Sequence, residues 1–171
     1  VRVRSFSPQV VVLALAAAST AGCKAPDDVP DGGAPAATAS AAATGKMKLL
    51  NAPPDGNVDD IVRAAQARAM QERRRVVVYV GATWCEPCQR FHHAAERGEL
   101  DAKFPDVDLL AFDQDRDGER LVTAGYKSKL IPLFALPGPD GRASGKQVEG
   151  GIKGEGAVGF IAPRLEKMLA D

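Results

Sequence analysis

Two cysteines and two histidines fall close together in GATWCEPCQRFHHAAE, residues 81 to 96. Cys85 and Cys88 stand in C-x-x-C spacing, which serves either a redox couple or half of a metal site that histidines complete. A cycling dithiol needs one exposed, readily deprotonated sulfur and a second sulfur near enough to resolve the mixed disulfide. A closed metal site needs four ligands. His92 and His93 are neighbours and would project about 100° apart on a helix, so they do not readily join the two cysteines in one tetrahedron. The pattern therefore favours dithiol–disulfide exchange, with no metal and no organic cofactor; a Cys/His metal-binding protein is the alternative.

The flanking segments supply a support for such a couple. VVVYVGA (76 to 82) is a continuous β-branched run, as expected of a strand covered on both faces, and EPCQRFHHAAERGEL follows as a helix that the C-x-x-C opens. Unpaired N–H groups and the helix dipole would stabilise the Cys85 thiolate, and Cys88 would lie nearly one turn on, on the same side. Pro87 suits that first turn, where the N–H it lacks has no helical partner. Asn57 is placed to cap VDDIVRAAQARAMQERRR, whose Val58, Ile61, Val62, Ala65 and Ala69 form an apolar stripe. VDLLAFD (107 to 113) predicts a second buried strand, and GERLVTAGY (118 to 126) a short helix. IPLFALP (131 to 137) and KQVEG (146 to 150) predict an antiparallel hairpin around Asp140-Gly141. Residues 156 to 170 predict a last helix, started or kinked at Pro163.

WCEPC after a buried strand, with Ile131-Pro132 ahead of a hairpin, resembles the thioredoxin superfamily over roughly residues 58 to 170. The resemblance implies an α/β thioredoxin fold, three-layer α/β/α with a central mixed sheet. It also implies that Cys85 attacks, Cys88 resolves, Trp84 flanks the site as a surface aromatic, and Pro132 is a cis-proline facing the disulfide. A cis bond there would let the Ile131 backbone offer edge hydrogen bonds to an extended substrate. GELDAKFPDVDLLAFDQD adds a likeness to the C-terminal domain of transmembrane disulfide reductases.

One position departs from that family. Thioredoxins carry a buried aspartate six residues before the first cysteine, where this chain has Tyr79. Tyr79, or His92 four residues after Cys88, is then the candidate proton relay to the resolving thiol. Glu86 between the cysteines should oppose the Cys85 thiolate by about as much as the helix dipole favours it, about 0.3 to 1 kcal/mol each way. That near-cancellation leans the couple toward a reductase of protein disulfides, with an exported oxidase or isomerase as the alternative.

The chain's 171 residues suit one domain with extra length, and 22 basic against 22 acidic residues give no bulk charge that would point to nucleic acid. Residues 1 to 22, with Arg2, Arg4 and the apolar run VVVLALAAA, predict a signal peptide. Cys23 follows Ala21-Gly22 and resembles the lipidated cysteine of bacterial lipoproteins, although Thr20 stands where that family most often has leucine. The resemblance implies a lipid anchor on the periplasmic face of a bacterial membrane, with cleavage after Ala21 to a soluble exported protein as the alternative. Residues 23 to 46 are rich in Ala, Pro, Gly, Ser, Thr and Asp, and predict a disordered tether. The thioredoxin-like domain then occupies 47 to 171. The expected partners are protein thiols and disulfides, and a membrane protein that supplies electrons.

Two segments imitate other functions. DQDRDGERLVTA (113 to 124) has Asp113, Asp115, Asp117 and Gly118 at calcium-loop spacing, but Ala124 stands where a bidentate glutamate belongs, so a solvated turn leading to a capped helix is expected. ERRRV (72 to 76) is expected to be a solvated helix end.

Overall fold

The computed structural model describes residues 45–171. The signal-peptide, Cys23 and tether expectations lie outside these residues, apart from the tether's last two positions. Among the described residues nine elements follow in order: β1 (Lys48–Asn51), α1 (Val58–Gln71), β2 (Arg75–Gly81), α2 (Glu86–Glu96), β3 (Val107–Asp113), α3 (Gln114–Thr123), β4 (Leu133–Pro137), β5 (Ala143–Glu149) and α4 (Ala157–Ala170). The strands form one mixed sheet in the order β1-β3-β2-β4-β5. β1, β3 and β2 are mutually parallel, while β4 runs antiparallel to both β2 and β5.

The β-branched run in β2 is continuous because both of its faces are buried. Val77 and Tyr79 point into a core shared with Phe91 of α2 and Ile161 and Leu165 of α4. Val76, Val78 and Val80 point the other way, into a core shared with Val62 and Ala65 of α1 and Leu121 of α3. The result is three layers, helix on sheet on helix. Phe91 meets Phe134 of β4 edge-on with ring centroids 4.7 Å apart, and Tyr79 stacks on Phe134 at 5.2 Å. These contacts hold α2, and with it the cysteines, against the middle of the sheet.

Several boundaries differ from expectation. β1 was not anticipated; KLLN is too short to show a period and is a strand only because it pairs with β3, from Lys48 opposite Asp108 to Asn51 opposite Ala111. α3 starts at Gln114 instead of Gly118. The Asp113 carboxylate caps it, accepting the N–H groups of Asp115 (2.9 Å) and Arg116 (3.0 Å). α1 stops at Gln71, and Arg73 takes the left-handed conformation (φ 56°) that turns the chain into β2. β4 begins two residues later than expected and β5 three earlier. α4 runs through Pro163 from Ala157 to Ala170.

The expected solvated turn is instead the first turn of α3, where one buried carboxylate is held by two partly exposed arginines. Asp117 is 0 % exposed and accepts from Arg116, from Arg120 and from the Asp113 N–H at 2.9 Å. Arg120 also donates to the Pro53 and Gly56 carbonyls, tying α3 to the segment between β1 and α1. Burial pushes the Asp117 carboxyl up, but the Arg116 and Arg120 hydrogen bonds outweigh it and hold the group below the usual aspartate range. A depressed folded-state pKa means that the unfolded chain binds more protons at acid pH, so this stabilisation is complete above about pH 4 and fades as pH falls further. Asp117→Asn should therefore lose about 2 to 3 kcal/mol at pH 7 in urea titrations, with the deficit shrinking at pH 3. A deficit equal at both pH values would show that the carboxylate charge is not what stabilises.

Candidate active site

β2 ends at Gly81, and the chain turns through Ala82-Thr83-Trp84 to place Cys85 at the N-cap of α2. Cys85 and Cys88 form a disulfide with Cα atoms 5.2 Å apart. The Cys85 sulfur also accepts the Cys88 N–H at 3.3 Å, so an unpaired amide of the first helical turn points at the sulfur that would carry negative charge after reduction. Pro87 lies in that turn, as its missing N–H allows.

The expected exposure of the first sulfur is corrected: Cys85 is 5 % exposed and Cys88 2 %. In the oxidised state both pack against Ala82 and Ile131. The visible surface belongs instead to the neighbours, Trp84 at 66 % and Leu130 at 60 % exposed. The Trp84 indole N–H donates to the Asp115 carboxylate at 2.8 Å. Sequence reasoning missed Asp115 because it was counted among the false calcium ligands.

The Ile131–Pro132 peptide bond is cis, and Ile131 packs on the cysteines. The Pro132 carbonyl accepts the Gly150 N–H at 2.8 Å, while among the described residues the Ile131 N–H and C=O enter no backbone hydrogen bond. A five-stranded mixed sheet in this order, a disulfide at the start of the helix after β2, and a cis-proline beside it decide the architecture. The protein has a thioredoxin fold.

Solved thioredoxins are similar to it in fold. Thioredoxin NaTrxh from Nicotiana alata has a TM-score of 0.48 at 21% identity, covering 73% of this chain and 92% of that one. The long form of thioredoxin F from spinach chloroplast gives 0.46 at 23%, covering 72% and 85%. A poplar thioredoxin h mutant gives 0.46 at 21%, covering 74% and 83%. No family model and no curated protein matches the sequence.

Where thioredoxins carry the buried aspartate, Tyr79 is 3 % exposed and its hydroxyl donates to the Cys88 carbonyl at 3.1 Å. Burial pushes its pKa up, so it holds its proton. The structure thus gives Tyr79 a part in fastening the first turn of α2, with its hydrogen bond made to backbone. The hydroxyl needs the space that Gly81 leaves, since a Cβ at Gly81 would fall 2.7 Å from it and 3.3 Å from the Cys88 Cβ.

His92 lies beside a cavity of about 500 Å³ that Cys88, Tyr79, Gly81, Asn51 and Arg116 also line. Its Nε2 is 3.2 Å from Glu96, and His93 Nδ1 is 3.1 Å from the same carboxylate. Both histidines therefore meet at Glu96 and not at the cysteines. Among the described residues no group of three or more His, Cys, Asp or Glu side chains is arranged to hold a metal ion.

The expected repulsion by Glu86 is also revised. Its carboxylate accepts from Arg90 Nε at 2.9 Å and from the Gly154 N–H at 3.1 Å. The Arg90 hydrogen bond, followed by that of Gly154, holds its carboxyl below the usual range. Glu86 is charged, but the charge is paired, so it opposes the Cys85 thiolate less than the sequence alone suggests. Arg90 was within reach of sequence reasoning as the i+4 partner of Glu86. Gly154, 68 residues away in the chain, gave no signal.

Proposed function

We propose that the protein is a thiol–disulfide oxidoreductase that reduces protein disulfides, held at the periplasmic face of a bacterial membrane by a lipid on Cys23. The observation that carries the chemistry is the Cys85–Cys88 disulfide at the N-terminus of α2, beside the cis Ile131–Pro132 bond.

In the reduced enzyme the Cys85 thiolate attacks one sulfur of a client disulfide; the Cys85–client bond forms and the client's S–S bond breaks. The released client sulfur leaves as a thiolate and takes a proton from water. Cys88, as its thiolate, then attacks Cys85 Sγ. The second client thiolate departs, and the Cys85–Cys88 disulfide is left as the structure holds it. Two electrons have passed to the client. Stabilisation of the Cys85 thiolate comes from the α2 amides, since the guanidinium of Arg90, one turn along α2, is engaged by Glu86 and Glu155. Strong oxidants stabilise their thiolates far more heavily, which supports the reductase direction. Re-reduction would require electrons from a membrane redox protein.

Thiol trapping in bacteria expressing the full chain, combined with fractionation, tests direction and location together. The protein should sediment with membranes, with Cys85 and Cys88 mainly reduced, and Cys23→Ala should release it to the soluble fraction. A dithiol found mainly oxidised would assign it as a disulfide donor, and unchanged membrane association of Cys23→Ala would remove the anchor.

A further inference from the structure

The segment between β5 and α4, residues 150–156, is fastened on two sides of the disulfide. At its start the Gly150 N–H donates to the Pro132 carbonyl at 2.8 Å. Four residues on, the Gly154 N–H donates to Glu86 Oε1 at 3.1 Å. Between these points Gly151 passes so near the C-x-x-C turn that a Cβ there would fall 2.9 Å from the Pro87 Cβ. Glu86 is held in turn by Arg90, whose other arm reaches Glu155 at 2.7 Å. One carboxylate inside the redox motif therefore ties the helix bearing the disulfide to the loop that follows β5 and bonds to the cis-proline.

That loop needs tying. Gly150, Gly151, Gly154 and Gly156 are four of its seven residues, and Gly150 and Gly154 have φ of 74° and 84°. A glycine-rich segment loses much conformational freedom when a bound partner fixes it, and fixing it beforehand transfers that cost from binding to folding. The loop also presents Ile152, 45 % exposed, and at its start Gly150 lies against the side chain of the exposed Leu130.

We propose that Glu86 is a positioning residue: by accepting the Gly154 N–H it fixes the 150–156 loop as a wall beside the disulfide, and so sets affinity for protein substrates. The proposal rests on the oxidoreductase reading. The exposed Arg90–Glu155 pair adds little by itself, because surface ion pairs are screened by water. The hydrogen bond from Gly154 to a charged, partly buried acceptor carries the anchoring.

Two variants separate this role from an effect of charge on the sulfurs. Glu86→Gln and Glu86→Ala both remove the charge beside Cys85, and only Glu86→Ala removes the acceptor for Gly154. In steady-state reduction of insulin, KM for Glu86→Ala should exceed that for Glu86→Gln by roughly fivefold at similar kcat, as expected for the loss of one hydrogen bond. The two variants should react at the same rate with a small aromatic disulfide. Amide exchange at Gly154 in the full chain should be faster in Glu86→Ala than in Glu86→Gln. Equal KM values for the two variants, or equal exchange at Gly154, would overturn the proposal. Exchange needs no substrate, so an inert parent protein would remove the oxidoreductase reading while Gly154 still decides whether Glu86 anchors the loop.

Discussion

Reduced Cys88→Ser protein mixed with a disulfide-bonded client is expected to accumulate a covalent adduct through Cys85, seen as a dithiothreitol-sensitive band on a non-reducing gel. Cys85→Ser should form no such band, and its turnover should fall to the uncatalysed rate. The asymmetry follows from position. Both sulfurs are nearly buried in the disulfide, but Cys85 sits at the N-cap of α2 with the Cys88 amide 3.3 Å from its sulfur to stabilise a thiolate, whereas Cys88 lies inside the first turn. A serine at position 88 cannot attack the mixed disulfide, so the intermediate persists. Cys85→Ser retains both Cys88 and Cys23, so its lack of a band would also exclude adducts through either. An adduct formed equally well by Cys85→Ser would sink the assignment of the two sulfurs.

The parts of this site that were legible in the sequence are those determined by neighbours along the chain. A β-branched run, a W-C-x-P-C turn and a helical pattern are adjacent in sequence, and local rules place Cys85, Pro87 and Cys88 correctly. What escaped is set by contacts between distant segments. Glu86 reads as a free charge because its partner Gly154 comes from the loop before α4, and Tyr79 reads as a relay candidate because its bond to the Cys88 carbonyl exists only once α2 lies on β2. The acidic run from Asp113 to Asp117 reads as a solvated turn before a capped helix, and Asp113 does cap α3, yet Asp115 holds the Trp84 indole and Asp117 is buried between arginines. Composition reports that a residue is charged; only the fold reports what neutralises it.

Arg74 carries that lesson furthest and has the largest expected effect on stability. Within ERRRV it looks like one of several solvated charges at a helix end, but its side chain is 9 % exposed and pairs with Asp108, itself 7 % exposed, in the middle layer of the fold. Its remaining donors reach the Pro105 carbonyl at 2.8 Å, the Lys46 carbonyl at 2.7 Å and the Val107 carbonyl at 2.8 Å. One guanidinium thus joins the entry to β2, the entry to β3 and the residues before β1, where the three parallel strands begin. Arg74→Met would keep an unbranched apolar stem and leave a buried carboxylate with no cation, together with carbonyls that lose their donor. Breaking a buried pair from one side costs about 3 to 5 kcal/mol, or roughly 10 to 20 °C in Tm for a domain of this size. Removing the carboxylate as well, in Arg74→Met/Asp108→Leu, should restore part of the loss, since the charge is gone while the three carbonyls still lack their donor. The cysteines lie at the opposite, carboxyl ends of these strands, so the folded fraction of Arg74→Met should react with a small disulfide at the parent rate. A loss below about 1 kcal/mol in calorimetry or urea titration would mean that water replaces the guanidinium and that the cluster is only a surface contact.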